Sequence, residues 1–152
     1  TINILFILDN NIQYQKFLEL LDNKKNLIQK DITKKENQLE QLRNEIESSK
    51  LILNDQSLKI ELDKYKENLR IYQLIIDNFN NFVEENILYN KKIIINKIAL
   101  ITTEYSKTNN IDLVINANNY FVSSKNIDIS EIILENLSKH DIKFKILNEN
   151  GY

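Results

Sequence analysis

The chain of 152 residues contains no cysteine and no proline, and its one glycine is Gly151. Without cysteine it cannot form disulfides, thiolate metal sites or a cysteine nucleophile. Without a glycine-rich loop it lacks the backbone arrangement that cradles nucleotide phosphates, so a mechanism driven by ATP is disfavoured. The absence of proline removes the usual helix breaker.

Candidate catalytic groups are also few. His140 is the single histidine, and it has no second histidine or cysteine with which to hold a metal or orient a nucleophile. Asp9, Asp112 and Asp128 stand at the expected ends of structural elements, where capping accounts for them. We therefore predict that the chain is not an enzyme and that it has no cofactor and no metal site.

Charge and hydrophobicity limit the partners. The formal net charge of -2 and the isoelectric point near 5.5 provide no broad basic surface for nucleic acid. No run of about 18 apolar residues is present, so no membrane span is expected. The apolar residues 2–8 are too few for a span and lack the basic flank of a signal peptide. If the protein is secreted, we expect its signal to have been removed already.

Two heptad patterns occupy most of the chain. Apolar residues recur at spacings of three and four, with Lys25 and Lys35 in the same register. The first pattern contains Leu18, Leu21, Ile28, Ile32, Leu39, Leu42 and Ile46. The second contains Leu58, Leu62, Tyr65, Leu69, Tyr72, Ile76, Phe79 and Val83, and then drifts toward Ile87, Ile94, Ile98, Ile101 and Tyr105. We predict a long antiparallel helical hairpin, a coiled-coil arm over residues 11–107, with its tip near 48–57.

A small α+β body is predicted at the base of this arm, from residues 1–10 and 108–140. Residues 2–8 are nearly all apolar, which at this length is typical of a buried strand. Residues 111–117 and 120–123 are predicted to be two further strands. Asp128 is the predicted N-cap of a short last helix. Residues 141–152 form a tail that either adds a strand or frays. The predicted fold is mainly α, with the long antiparallel hairpin projecting from a small body that contains a small β-sheet.

Residues 111–118, Ile-Asp-Leu-Val-Ile-Asn-Ala-Asn, resemble the signature Asp-Leu-Val-hydrophobic-Asp-Ala-Asn of the Skp/OmpH family of chaperones. The segment Asp128-Ile129-Ser130 is similar to that family's Asp-Ile-Thr segment. The resemblance implies a periplasmic homotrimer that trimerises through the body and holds unfolded outer-membrane β-barrel proteins in a cavity between its arms, without ATP. Asn116 replaces the usual aspartate, and the acidic balance differs from the basic members of the family. Lipopolysaccharide and the membrane surface are therefore not carried over as partners.

Candidate site residues belong to two groups. Tyr14, Phe82 and Tyr89 are aromatic and lie off the predicted seam of the hairpin, which makes them candidates for client binding. The apolar residues of the predicted strands present more surface than one short helix can cover, so we expect some of them to contact other subunits. These residues are Ile4, Phe6, Leu8, Leu113 and Ile115.

Two other functions fit the same pattern. A passive coiled-coil scaffold or stalk subunit of a larger complex would use the arm without binding clients. A prefoldin-like chaperone is a weaker alternative, because its strands lie between its helices and not at the base of the hairpin.

Overall fold

The computed structural model describes residues 1–120 and 125–148, and most of these residues are helical. The elements are α1 (Ile4–Asn10), α2 (Ile12–Ser49), α3 (Asp55–Thr108) and α4 (Ser130–Ser138), with 3₁₀ turns at Ala117–Asn119 and Lys125–Ile127. α2 has 38 residues and α3 has 54. The prediction of a mainly α chain built on two long helices is confirmed.

Contacts divide the chain into two compact units. The first unit combines Thr1–Leu21 with Glu85–Ile146, and the second contains Asp22–Glu84. The first unit therefore includes residues 11–21, 85–107 and 141–146 in addition to the segments that the sequence assigned to the body.

The second unit is a helical hairpin. α2 ends at Ser49 and α3 begins at Asp55, so the connection lies within the stretch predicted as the tip. Asn54 stabilises the start of α3, because its Oδ1 accepts the backbone N–H of Ser57 at 2.9 Å. Lys35 of α2 and Ile75 of α3 line one groove, which shows that the two helices lie side by side at this level.

The buried face of each long helix follows the heptad prediction only in part. On α2, Leu21, Ile28, Ile32 and Ile46 are buried as predicted, whereas Lys35 is exposed. On α3, Ile94, Ile98 and Ile101 are buried as predicted. Earlier on α3 the prediction is wrong by one position, since Phe82 and Asn86 are buried in place of the half-buried Val83 and the exposed Ile87.

Residues 4–8, predicted to belong to a strand, are helical. The side chain of Asn3 accepts the N–H of Phe6 and caps α1, and Ile7 and Leu8 are buried. α1 packs against α4, whose Ile133 and Leu137 are fully buried. A short apolar run is compatible with either structure, and here the cap at Asn3 together with packing on one side favours the helix.

The predicted sheet is reduced, within the described residues, to one parallel bridge between Ile2 and Asn116. Ile2 donates its N–H to the carbonyl of Ile115, and its own carbonyl accepts the N–H of Ala117. A longer ladder cannot form because the chain enters α1 directly after Asn3. Asn118 and Asn119, which separate the two predicted strands, are part of a 3₁₀ helix, and residues 121–123 of the second predicted strand lie outside the described residues.

The start of α4 corrects the assignment of Asp128 as its N-cap. The cap position is Ile129, which makes no side-chain cap hydrogen bond. Asp128 still acts close by, since its Oδ1 accepts both the backbone N–H of Ser130 and the Ser130 hydroxyl. The Ser130 hydroxyl oxygen in turn accepts the N–H of Asn3, which links α4 to the start of the chain.

Candidate functional site

The three aromatic candidates for client binding have different surroundings. Tyr14 and Phe82 retain only 6% and 5% of their surface exposed. The expectation that they lie off the packed face is therefore wrong, because both side chains belong to the buried faces of their helices. Tyr89 is exposed, and the ammonium group of Lys145 lies 5.0 Å from the centre of its ring.

Tyr14 contacts a segment near the carboxyl end of the chain for which the sequence predicted a strand or fraying. This docked segment, residues 140–146, contains no helix or strand. Gln13, at the start of α2, binds its backbone through both ends of the side-chain amide. Gln13 Nε2 donates to the carbonyl of His140 at 2.8 Å, and Gln13 Oε1 accepts the N–H of Ile142 at 2.9 Å.

Asn90, in the second half of α3, binds the same segment in a similar way. Its Oδ1 accepts the N–H of Lys145 at 3.0 Å, and its Nδ2 donates to the Lys145 carbonyl at 2.9 Å. The Nδ2 group also donates to the carbonyl of Asn86, one turn earlier on α3. Asn90 is fully buried, so these hydrogen bonds compensate for removing its amide from water.

Between the positions that the two amides bind, the docked segment places the ring of Phe144 against two aromatic rings of α2. The ring of Phe144 lies 5.6 Å from the ring of Tyr14 and 5.5 Å from that of Phe17, centre to centre. Tyr14 and Phe17 are themselves 6.0 Å apart. Such distances are typical of favourable aromatic pairs. Burial among these groups raises the pKa of the Tyr14 hydroxyl above its ordinary value.

We call Gln13, Tyr14, Phe17 and Asn90 the tail site. The sequence analysis named Tyr14 as a candidate for client binding and did not indicate the other three residues. One signal was present, since Ile142, Phe144 and Ile146 alternate with Asp141, Lys143 and Lys145. The alternation indicated that one side of the segment is covered. It could not indicate that two helices, and not a strand, provide the cover.

A second surface is apolar and uncovered in the single chain. Ile60, Ile71 and Leu74 of α3 are each about half exposed. Their separations of eleven and three residues place them on the same side of the helix. At the turn of the hairpin, Leu51 and Ile52 are 97% and 84% exposed. We call Ile60, Ile71 and Leu74 the arm patch.

The residues predicted at the subunit interface divide into buried and exposed sets. Leu8 is buried within the chain, so the expectation that it meets another subunit is wrong, and Ile4 and Phe6 are half-buried. Leu113 is 72% exposed and Ile115 is 40% exposed. Beside them, Ile4, Ile98 and Val114 line an open groove of about 710 Å³.

Within residues 1–120 and 125–148, no three histidine, cysteine, aspartate or glutamate side chains come together as metal ligands. In the same part of the chain, no helix combines the length and the apolar character that a membrane span requires. Comparison with family models, with curated proteins and with solved structures gives no match.

Proposed function

We propose that the chain is an ATP-independent holdase chaperone that binds unfolded polypeptides and prevents their aggregation. The observation that carries the proposal is the arm patch, because large aliphatic side chains on the side of a long helix are exposed in the single chain. Ile71 and Leu74 are one helical turn apart, and exposed apolar side chains that share one side of a helix offer surface on which another molecule can bind. An unfolded client offers apolar side chains in many arrangements, and a long open surface can accept them without a specific pocket.

The resemblance of residues 111–118 to the Skp/OmpH signature supplies the finer part of the proposal. On that basis the protein acts in the periplasm, as a homotrimer, on unfolded outer-membrane β-barrel proteins. Leu113 and Ile115 supply exposed apolar surface that suits contact between subunits, beside a groove lined by both apolar and polar residues. Three arms around one client would multiply weak contacts and raise the effective concentration of binding surface.

A passive scaffold or stalk is the second candidate, and the same arm patch favours it. An amphipathic helix with one open apolar side is a common surface for a partner helix. The two functions differ in the state of the partner, because a scaffold binds a folded protein and a holdase binds an unfolded one.

The test is dilution of a urea-unfolded outer-membrane protein into buffer, with and without an equimolar amount of the trimer, followed by light scattering. We expect the chain to suppress scattering in the absence of any nucleotide. Aggregation that is unchanged by the chain would favour the scaffold.

The arm patch is tested by the triple variant Ile60→Gln, Ile71→Gln, Leu74→Gln. These side chains are about half exposed, so we expect the helical signal to persist while suppression of aggregation falls several-fold. The matched control replaces Lys59, Lys66 and Glu84 by glutamine, since these charged side chains are exposed on the same part of α3. If both variants lose activity equally, charge on the arm matters as much as apolar contact.

A further inference from the structure

The tail site binds the docked segment mainly through its backbone. Both ends of the Gln13 amide pair with backbone groups on either side of Asp141, as a neighbouring parallel strand would do. Both ends of the Asn90 amide pair with the N–H and carbonyl of Lys145. Because every residue except proline carries these backbone groups, neither amide requires a particular side chain in the bound segment.

The side chains of the docked segment indicate which spacing of apolar residues a ligand needs. Phe144 lies against Tyr14 and Phe17, and Ile142 is 8% exposed. Asp141 and Lys143 are exposed. A suitable ligand therefore has apolar residues at alternate positions, with an aromatic residue among them. This alternation is the pattern of β-strands that bury one face, and membrane-spanning strands of β-barrels share it.

We propose that the tail site is a peptide-binding site that residues 140–146 occupy within the same chain. Its ligand is an unfolded segment with alternating apolar residues and an aromatic residue near its centre. This inference rests on the proposed holdase function and names the kind of client segment recognised. The docked segment competes with the ligand for the tail site. The apparent affinity for the ligand is therefore the intrinsic affinity multiplied by the fraction of molecules in which the docked segment has left.

A single tryptophan makes the competition visible, because the chain has none of its own. Phe144→Trp places that fluorophore in the docked segment. We expect a peptide with the sequence of residues 140–148 to shift its emission to longer wavelength as the tail enters water. A peptide of the same composition in which the apolar residues are adjacent should leave the emission unchanged. If neither peptide shifts the emission of this variant or of the Tyr89→Trp variant described next, or if both peptides do so equally, the proposal is wrong.

Tyr89→Trp provides a second probe should the larger ring at position 144 prevent docking. Tyr89 is exposed and lies beneath Lys145 of the docked segment. The tryptophan emission of this variant should change on addition of the peptide with alternating apolar residues. It should remain constant with the peptide in which the apolar residues are adjacent.

Direct binding is measured with a fluorescently labelled copy of the alternating peptide and full-length protein. In the variant Ile142→Asp, Phe144→Asp the tail should leave, and we expect the peptide to bind about tenfold more tightly than to the natural chain. Lys143→Glu, at an exposed position between them, should have no such effect. We call the Ile142→Asp, Phe144→Asp protein the vacated chain. Adding Gln13→Ala and Asn90→Ala to it should abolish the gain in affinity for the peptide. Equal affinities for the natural and vacated chains would overturn the proposal.

These measurements separate the tail site from the holdase function. Displacement of the tail by the alternating peptide, without suppression of aggregation, would support the tail site and remove the holdase proposal. Suppression of aggregation that is identical in the natural and vacated chains, without displacement, would retain the holdase and overturn the inference about the tail site.

Discussion

The side-chain amide of Asn90 forms a closed pair of hydrogen bonds with the backbone of Lys145, 55 positions later in the sequence. A buried asparagine on a helix is costly unless its amide is satisfied, since isolated polar groups lose their hydration without compensation. The docked segment provides the compensation on α3, while Gln13 provides a similar pair on α2. The docked segment, residues 140–146, thus stabilises the first unit.

Replacing Asn90 by alanine should destabilise the first unit by about 1–3 kcal/mol, because the N–H and carbonyl of Lys145 lose their partner. Urea denaturation measures the free energy of unfolding, and hydrogen exchange reports the Lys145 amide directly. We expect that amide to exchange much faster in the variant.

Asn96→Ala is the matched control for this change, because Asn96 is an exposed asparagine on the same helix. It should leave both measurements nearly unchanged. If the two variants are equally stable, the hydrogen bonds of Asn90 contribute nothing net to folding.

The contact between α1 and α4 allows a second prediction about stability. Ile133 is fully buried on α4, so Ile133→Ala should leave a cavity and lower the free energy of unfolding by about 2–5 kcal/mol. Ile132, the preceding residue, is 40% exposed, and Ile132→Ala should cost much less. Similar losses in the two variants would show that α4 does not use this face for packing.

The heptad pattern predicted the long helices well because burial on a two-helix seam depends on one stripe of residues at 3.5-residue spacing. It failed where the buried residue is polar. Asn86 and Asn90 occupy the covered face of α3, whereas a search for apolar residues selects Ile87 one position later. Hydrophobic periodicity could not identify these asparagines, since their burial depends on partners that include a segment distant in sequence.

The prediction of a strand at residues 2–8 was wrong for a different reason. Their β-branched side chains favour a strand locally, and their length suits either a strand or two turns of helix. The cap at Asn3 and the packing of α1, with Ile7 and Leu8 buried, against α4 favour the helix over the strand. For the tail site, the alternation at residues 142–146 was visible, but the two amides that bind it are separated by 77 positions in the sequence, from Gln13 to Asn90.

Tyr14 predicts a dependence of stability on alkaline pH. Its pKa is raised in the folded state by burial, so the folded chain holds this proton more tightly than the unfolded chain. Stability is fully present below the unfolded pKa, near 10, and is lost as the pH rises above it toward the folded pKa.

Comparison with Tyr14→Phe isolates this effect from the other tyrosines and the lysines. Between about pH 8 and about pH 11, the natural chain should lose more free energy of unfolding than Tyr14→Phe. Parallel pH profiles for the two proteins would show that the Tyr14 hydroxyl remains well solvated.

The last prediction concerns the proposed trimer and its assembly through Leu113, which is 72% exposed in the single chain. Leu113→Lys should leave the folded subunit intact, because a lysine at this position can extend into water. Within a trimer that covers position 113, the same ammonium group would lose its hydration without a partner, which costs several kcal/mol. We therefore expect light scattering to show loss of the trimer while the far-ultraviolet helical signal is retained. Asn118→Lys introduces the same charge at an exposed position nearby and should remain trimeric. A Leu113→Lys chain that stays trimeric and still suppresses aggregation would place the subunit interface elsewhere on the molecule.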